Sequence, residues 1–361
     1  MNEASFYDLD EKNRKLMLEI IIGNRGKIIS QTSGLCGDIY IFDQGEHVHP
    51  RYVCAKVPKI GGKCTPDEAA VRFINELKLQ LSFYSHTFVH WAFDFKEVLG
   101  APVALFRYWG SDLKRLIIDD SASDIQKLSI IAYVCSGLEH CYKTGLLSHQ
   151  DLKPANIFLR NIQGDFKDIS DLDVHTFALV ADFGLANASV NSGVFDGSRP
   201  YMAPEQWNRS SLSNKTDVFA LGVILCELIT GGYHPVGVKL HDYWPLPVSG
   251  NSKKWTGEKH WKKWSLQEDK IDQTVRGELD LDILSLIERM LSTTADERLS
   301  VEDTLRELLL LIKTRCKVSY AQAACYIDFF KSQSSNDSLA EQWPYLNSTW
   351  EKFDSKFGKG T

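Results

Sequence analysis

Short runs rich in Ile, Val, Phe and Tyr, separated by turn residues, mark the first hundred residues as strand-rich. Lys27–Thr32, Asp38–Asp43 and Tyr52–Val57 have this character. The pattern then changes to helical spacing over Pro66–Leu81, where Ala70, Phe73, Ile74, Leu77 and Leu81 share one face. Pro66 followed by Asp67 and Glu68 suits a helix start. Two further strands are predicted at Val89–Phe95 and Val103–Tyr108. From about Ser111 onward the periodicity is helical. A short helix is predicted at Asp112–Asp119. A long one follows at Asp124–Thr144, with Ile125, Leu128, Ile131, Ala132, Cys135, Leu138 and Cys141 on its apolar face and Gly145 as a stop. Thr216–Thr230, Leu281–Leu291 and Val301–Lys313 complete the set. A sheet-rich segment followed by a longer helical one predicts an α+β fold with two lobes.

Composition narrows the function classes. The 361 residues are 43% hydrophobic and 24% charged, ordinary for a soluble globular chain. The net charge of −6 gives no basis for nucleic acid or an anionic membrane as the main partner. The eight cysteines form no C-x-x-C pair, so neither a zinc site nor a disulfide framework is expected. Several lie in apolar runs, where a reduced thiol packs as a small hydrophobe, which predicts a cytoplasmic location. Val218–Cys226, the longest apolar run, is far below the roughly 20 residues that span a bilayer.

The chemistry-bearing stretch begins at Ser148-His149-Gln150-Asp151-Leu152-Lys153-Pro154-Ala155-Asn156, a loop between a helix and the apolar strand Ile157–Leu159. Asp182-Phe183-Gly184 follows directly behind the apolar run Phe177–Ala181, and Ala203-Pro204-Glu205 comes later. Upstream, Val53-Cys54-Ala55-Lys56 ends a strand and Glu76 sits on the next helix. In this order, from about Lys27 to Ile312, these residues resemble the eukaryotic-type (Hanks-type) serine/threonine protein kinase family.

The resemblance implies a bilobal kinase-like fold: a small antiparallel-sheet N-lobe with one helix at 27–108 and a larger helical C-lobe at 109–314. Residues 1–26 and 315–361 are extensions, the second expected to be helical. It further implies ATP as phosphoryl donor, Mg²⁺ (or Mn²⁺) as cofactor, and Ser or Thr of proteins as acceptor, autophosphorylation included. Asp151 resembles the aspartate that orients the acceptor hydroxyl, and Lys153 the lysine that neutralises the migrating group. Asn156 and Asp182 resemble the metal ligands, hard oxygen donors as Mg²⁺ requires. Lys56 resembles the phosphate-holding lysine, with Glu76 as its ion-pair partner. Thr32, Gly34 and Gly37 fit the glycine-rich loop, with Thr in place of its first glycine; Ile39 and Ala55 join the nucleotide contacts. Phe106 falls at the back of the nucleotide pocket, Tyr108 in the hinge, and Asp112 at the ribose. Asp217 resembles the aspartate that anchors the catalytic loop, and Glu205 with Arg298 an ion pair of the lower lobe.

Departures from the family pattern carry their own expectations. Gln150 stands where loop-regulated kinases carry Arg, so activity is expected to depend little on phosphorylation of the activation segment, although Ser189, Ser192 and Ser198 lie within it. Gln80 occupies a normally apolar helix position. The linker from Asn156 to Asp182 is long and acidic, with Asp165, Asp168, Asp171 and Asp173 in a surface hairpin or loop. Trp244, Trp255, Trp261 and Trp264, among six lysines, form either a recognition surface or a cap on the lower lobe. Two rivals remain. A pseudokinase scaffold is favoured only by Thr32, Gln150 and Gln80, and a small-molecule phosphotransferase is opposed by Asp182-Phe183-Gly184 and Ala203-Pro204-Glu205. Oligomeric state leaves no mark in the sequence.

Overall fold

Strand parity organises the first of two units, Met1–Tyr84, His90–Gly110 and Ser335–Thr361. The structure is a computed structural model, and it describes residues 5–22, 26–33, 37–61, 64–166, 168–240, 255, 257–333 and 343–358. Helix α1 (Glu11–Ile21) is followed by β1 (Lys27–Ser33), β2 (Gly37–Asp43), β3 (Tyr52–Pro58), α2 (Pro66–Ser82), β4 (Asp94–Val98) and β5 (Ala101–Arg107). The strands form one antiparallel sheet in the order β1-β2-β3-β5-β4.

Successive strand residues face opposite sides, and here each side has its own core. Tyr40, Phe42, Val53, Ala55, Val57, Val103 and Leu105 face a cluster completed by Phe6, Leu18 and Ile22, so α1 covers that side. Cys54, Phe95, Ala104 and Phe106 face the other, which α2 covers with Phe73, Ile74, Leu77 and Leu81. The C-terminal helix Pro344–Phe357 adds Leu346, Trp350 and Phe353 to this second cluster. Ion pairs Lys78–Asp354 (2.8 Å) and Lys356–Glu97 flank it.

The second unit comprises Ser85–Val89 and Ser111–Ser334. It contains α3 (Leu113–Asp119), α4 (Asp124–Lys143), the hairpin β6 (Ile157–Asn161) and β7 (Thr176–Val180), α5 (Ala188–Ser192), α6 (Pro204–Asn208) and α7 (Asn214–Ile229). Then come the short pair β8 (Tyr233–His234) and β9 (Val238–Lys239), α8 (Glu258–Leu266), α9 (Gln273–Glu278), α10 (Leu281–Met290), α11 (Val301–Arg315) and α12 (Lys317–Gln333). α7 is apolar all round and buried through most of its length, as a central helix must be. α11 and α12 lie along α4.

Two expectations change. The strand expected at Val89–Phe95 is instead β4, at Asp94–Val98. Of the expected run, Asp94 and Phe95 lie in β4, while Val89 makes an isolated bridge to Val180 and the preceding Phe88 stacks on Tyr133 at 4.7 Å. The tryptophan-rich segment is resolved toward the cap. Trp261 and Trp264 are buried, their indole N–H groups donate to the carbonyls of Trp255 (2.7 Å) and Lys270 (2.9 Å), and His234 lies against both rings. Trp244, Lys253 and Lys254 lie outside the described residues. Among the described residues no helix is long and apolar enough to cross a membrane.

Glu205 and Arg298 form a buried bidentate pair, 2.8 and 3.2 Å, and Arg298 also donates to the carbonyls of Ser292 and Lys215. Arg298→Ala leaves the Glu205 carboxylate buried and alone. It is expected to lower the unfolding free energy by about 3–5 kcal/mol in urea denaturation; a loss of under about 1 kcal/mol would show the pair to be dispensable. Trp350→Ala removes the indole that meets Phe95 at 5.0 Å, a change of a class that costs about 3–5 kcal/mol. Limited proteolysis is expected to cut the variant first within residues 343–358, and an unchanged digestion pattern would refute this anchoring role.

Candidate functional site

In the first unit, β3 parity turns Lys56 toward α2, the side opposite Val53, Ala55 and Val57. α2 is fixed at its start by a capping box in which Glu68 N–H donates to Thr65 Oγ1 and Thr65 N–H to Glu68 Oε2, with Pro66 at the first turn. Glu76, ten residues along α2, meets Lys56 at 2.5 Å. The two side chains are 13% and 8% exposed, so the pair is held in a poorly screened setting.

Around this pair, Ile39 on β2 is the register partner of Lys56, and Thr32 on β1 is the partner of Ile39. A Cβ on Gly37 would come within 2.8 Å of the Val57 carbonyl oxygen, so this close approach of strands requires glycine. Gly34 lies outside the described residues. Phe106 stacks on His90 at 5.2 Å and belongs to the α2 cluster, and Tyr108 N–H donates to the Tyr52 carbonyl. Gln80, the polar residue at an apolar position, is buried and donates to the His90 carbonyl at 2.8 Å. Its amide thereby ties α2 to the chain leading into β4.

In the second unit, the loop 148–156 hangs on Asp217 at the start of α7. This carboxylate is 1% exposed and accepts from His149 N (2.7 Å), Gln150 N (3.1 Å), Ser148 Oγ (3.1 Å) and Tyr142 Oη (2.7 Å). Burial pushes its pKa up, and the bonds from His149 N–H, Tyr142 Oη and Gln150 N–H oppose the shift. Beyond the anchor, Asp151, Lys153, Asn156 and Ser198 form one hydrogen-bonded cluster. Lys153 Nζ donates to Asp151 Oδ2 (2.6 Å) and Ser198 Oγ (3.2 Å), Ser198 N–H donates to Asp151 Oδ1 (2.7 Å), and Asn156 Nδ2 donates to the Asp151 carbonyl (2.9 Å).

Asp182 follows β7, which pairs with β6 so that Ile157 faces Val180. Ala181 N–H donates to the Asn156 carbonyl at 2.9 Å, so this pairing seats Asp182 beside the loop 148–156. The neighbouring Phe183 ring lies 4.9 Å from His149. Asp182 itself has φ 61°, a left-handed conformation that aspartate tolerates better than most residues. Asn156 spends its amide N–H on Asp151, which leaves its oxygen as the acceptor end. Asp112 caps α3 by accepting from Arg115 N–H at 2.9 Å.

Several contributors were not singled out from sequence. Asn187 accepts from Leu147 N–H (2.7 Å) and Ser148 N–H (3.3 Å), holding the approach to the loop 148–156. Gln206, just after Ala203-Pro204-Glu205, donates to the carbonyls of Gln150 (2.9 Å) and Asp196 (3.0 Å) and accepts from Ala203 N–H (3.0 Å). Tyr201 Oη donates to the buried Glu227 at 3.0 Å. A carboxylate within the apolar stretch Val218–Ile229 of α7 was a usable signal for Glu227; nothing local marks Gln206. Of the activation-segment serines, Ser189 accepts from Gln150 Nε2 at 3.5 Å, while the Ser192 side chain lies outside the described residues.

Comparison with known proteins matches a protein kinase domain model to residues 56–310. A probable serine/threonine-protein kinase of Corynebacterium efficiens is 30% identical over 160 residues, 41% of this chain and 22% of that protein. Another, of Clostridium acetobutylicum, is 27% identical over 223 residues, 60% of this chain and 31% of that protein. The interferon-induced, double-stranded RNA-activated protein kinase of Rattus norvegicus is 38% identical over 109 residues, 28% of this chain and 18% of that protein. The chain spans a third or less of the length of these curated relatives. With the catalytic-loop cluster, the Lys56–Glu76 pair and a domain model that matches most of its length, the chain belongs to the protein kinase family.

Proposed function

We propose that this protein transfers the γ-phosphoryl group of ATP to serine or threonine hydroxyls of protein substrates. The observation that carries this reading is the single hydrogen-bonded cluster of Asp151, Lys153, Asn156 and Ser198. An acceptor hydroxyl needs an oriented carboxylate at one side and a cation near the group that migrates, and Asp151 with Lys153 supplies both within one loop.

Protein kinases use ATP with a divalent metal, which neutralises the phosphates when bound. The residues fit Mg²⁺: the Asn156 oxygen and the Asp182 carboxylate are hard donors, and Mg²⁺ takes one or two carboxylates alongside phosphate oxygens. Lys56, oriented by Glu76, would hold phosphate oxygens of the nucleotide. Asp151 would accept the proton of the acceptor hydroxyl, and Lys153 would stabilise charge on the transferring group. Ser198, bonded to both, would set the height of the acceptor chain. Its place favours Ser or Thr as acceptor.

A cavity of about 260 Å³ opens beside Lys153 and Ser198, lined also by Lys114, Ile117, Tyr201 and Glu227. It supports a path for the acceptor chain next to the transferring group. Glu227 at its wall is 2% exposed, and burial pushes its pKa up to about 8 against the opposing Tyr201 bond.

Labelled ATP, Mg²⁺ and a generic protein acceptor are expected to give label on Ser or Thr. Asp151→Asn is expected to lower kcat by about 10²–10⁴-fold with nucleotide affinity little changed, and Asp182→Ala to abolish transfer. Nucleotide binding without any transfer by the wild-type protein would overturn the reading in favour of a scaffold. Transfer to a small molecule alone would overturn it in favour of a small-molecule kinase. For Glu227, the folded protein keeps a proton that the unfolded chain has lost between about pH 4.5 and about pH 8. Stability therefore falls as pH rises through that window. Glu227→Gln, neutral at every pH, is expected to match wild type near pH 5 and to exceed it in urea denaturation at pH 8; parallel pH profiles would show that Glu227 ionises normally.

A further inference from the structure

Gln206 is 3% exposed and uses every hydrogen-bonding group of its side chain. Its Nε2 donates to two backbone carbonyls from different segments, Gln150 of the catalytic loop (2.9 Å) and Asp196 of the activation segment (3.0 Å), while its Oε1 accepts from Ala203 N–H (3.0 Å). The two carbonyls it joins are each one or two residues from the reacting cluster. Gln150 precedes Asp151, and Asp196 precedes Gly197 and Ser198.

The tie completes a restraint that begins on the other side of Gln150. Asp217 holds the N–H of Gln150 at 3.1 Å and Gln206 holds its carbonyl, so the residue, in a left-handed conformation with φ 67°, is fixed at both ends. The carbonyl belongs to the same peptide plane as the Asp151 nitrogen, and its direction sets where the Asp151 side chain starts. The segment packs tightly against this junction: a Cβ on Gly197 would come within 2.6 Å of the Gln150 carbonyl oxygen and 3.2 Å of Gln206 Nε2. One residue later, Ser198 N–H and Oγ meet Asp151 and Lys153.

We propose that Gln206 is a positioning residue which, with one uncharged amide, locks the catalytic loop to the activation segment and so sets the aim of Asp151 and the seat of the acceptor beside Ser198. The role rests on the kinase reading above, but the tie itself is a structural statement with its own readout. The Gln206 tie itself contains no ionisable group, so its three bonds do not depend on a titrating partner. It also involves no hydroxyl of the segment, so its formation requires no phosphorylation of Ser189, Ser192 or Ser198.

Two variants test it. Gln206→Leu keeps much of the volume and removes all three bonds. It is expected to lower kcat about 10–100-fold, as small misplacements at a reacting centre do, and to raise KM for the protein acceptor while KM for ATP stays within about two-fold. Hydrogen–deuterium exchange in the same variant is expected to speed up in peptides covering 149–151 and 195–199 and to stay unchanged in α4 and α7. Gln206→Glu places an acceptor against two carbonyls when ionised and regains one donor when protonated. Its activity relative to wild type is therefore expected to rise as pH falls, a recovery that a purely structural lesion would not show. Gln206→Leu with kcat within two-fold of wild type and unaltered exchange at both segments would overturn the proposal. A wild-type protein without phosphoryl transfer would overturn the kinase reading instead, and the exchange measurement would still decide the tie.

Discussion

A carboxylate buried inside the second unit, Asp217, holds up the loop that carries Asp151, Lys153 and Asn156. A carboxylate at 1% exposure is tolerated only when its lone pairs are filled, and here four donors fill them: two backbone N–H groups, the Ser148 hydroxyl and the Tyr142 hydroxyl. The demand runs in both directions. Asp217 needs the loop 148–150 to cover it, and the loop, with Gln150 in a left-handed conformation, needs Asp217 to stay there. α7 supplies the base, since it is buried from Thr216 through Leu228.

The first unit rests on a simpler constraint, the two-residue period of a strand. Because Val53, Ala55 and Val57 must face the cluster covered by α1, Cys54 and Lys56 face the cluster covered by α2. A one-residue slip would carry Lys56 away from Glu76 and expose the core at once. The helix that carries Glu76 is secured three times: at its start by the Thr65–Glu68 box, along its face by Phe73 and Leu77, and toward its end by the Gln80 bond to the His90 carbonyl. Trp350 and Phe353 from the C-terminal helix extend that apolar face, so residues distant in sequence help to fix Glu76.

Much of this was legible in the sequence, for reasons that are local. Pro66 with its acidic neighbours and the spacing of Phe73, Ile74, Leu77 and Leu81 specify α2 almost to the residue. The helical runs of the second unit follow in the same way from period and caps. The misplaced strand has an equally plain cause. Val89, Trp91, Phe93 and Phe95 alternate with His90, Ala92 and Asp94 as a strand would, yet Val89 and the preceding Phe88 meet Val180, Tyr133 and Phe177, far away in the chain. Alternation reports burial on one side, and several kinds of packing can supply that. Site residues defined by motif, Asp151, Lys153 and Asn156, could be named in advance and fall in one cluster. Gln206 could not, because its partners are backbone carbonyls, which every residue carries and no sequence distinguishes.

Three buried glutamines share a common logic. Gln80, Gln150 and Gln206 are 2%, 4% and 3% exposed, and each stands where burial would be costly for a charge. Gln80 and Gln206 both bind backbone carbonyls, and Gln150 reaches the hydroxyl of Ser189. An amide brings donors and an acceptor together without the desolvation cost of an ion, and its bonds do not depend on pH or on a counter-charge arriving later. An arginine at position 150 would need an anion to neutralise it inside this protein. With glutamine there, Gln150 is joined to Ser189, and through Gln206 to Asp196, by neutral groups already present in the chain.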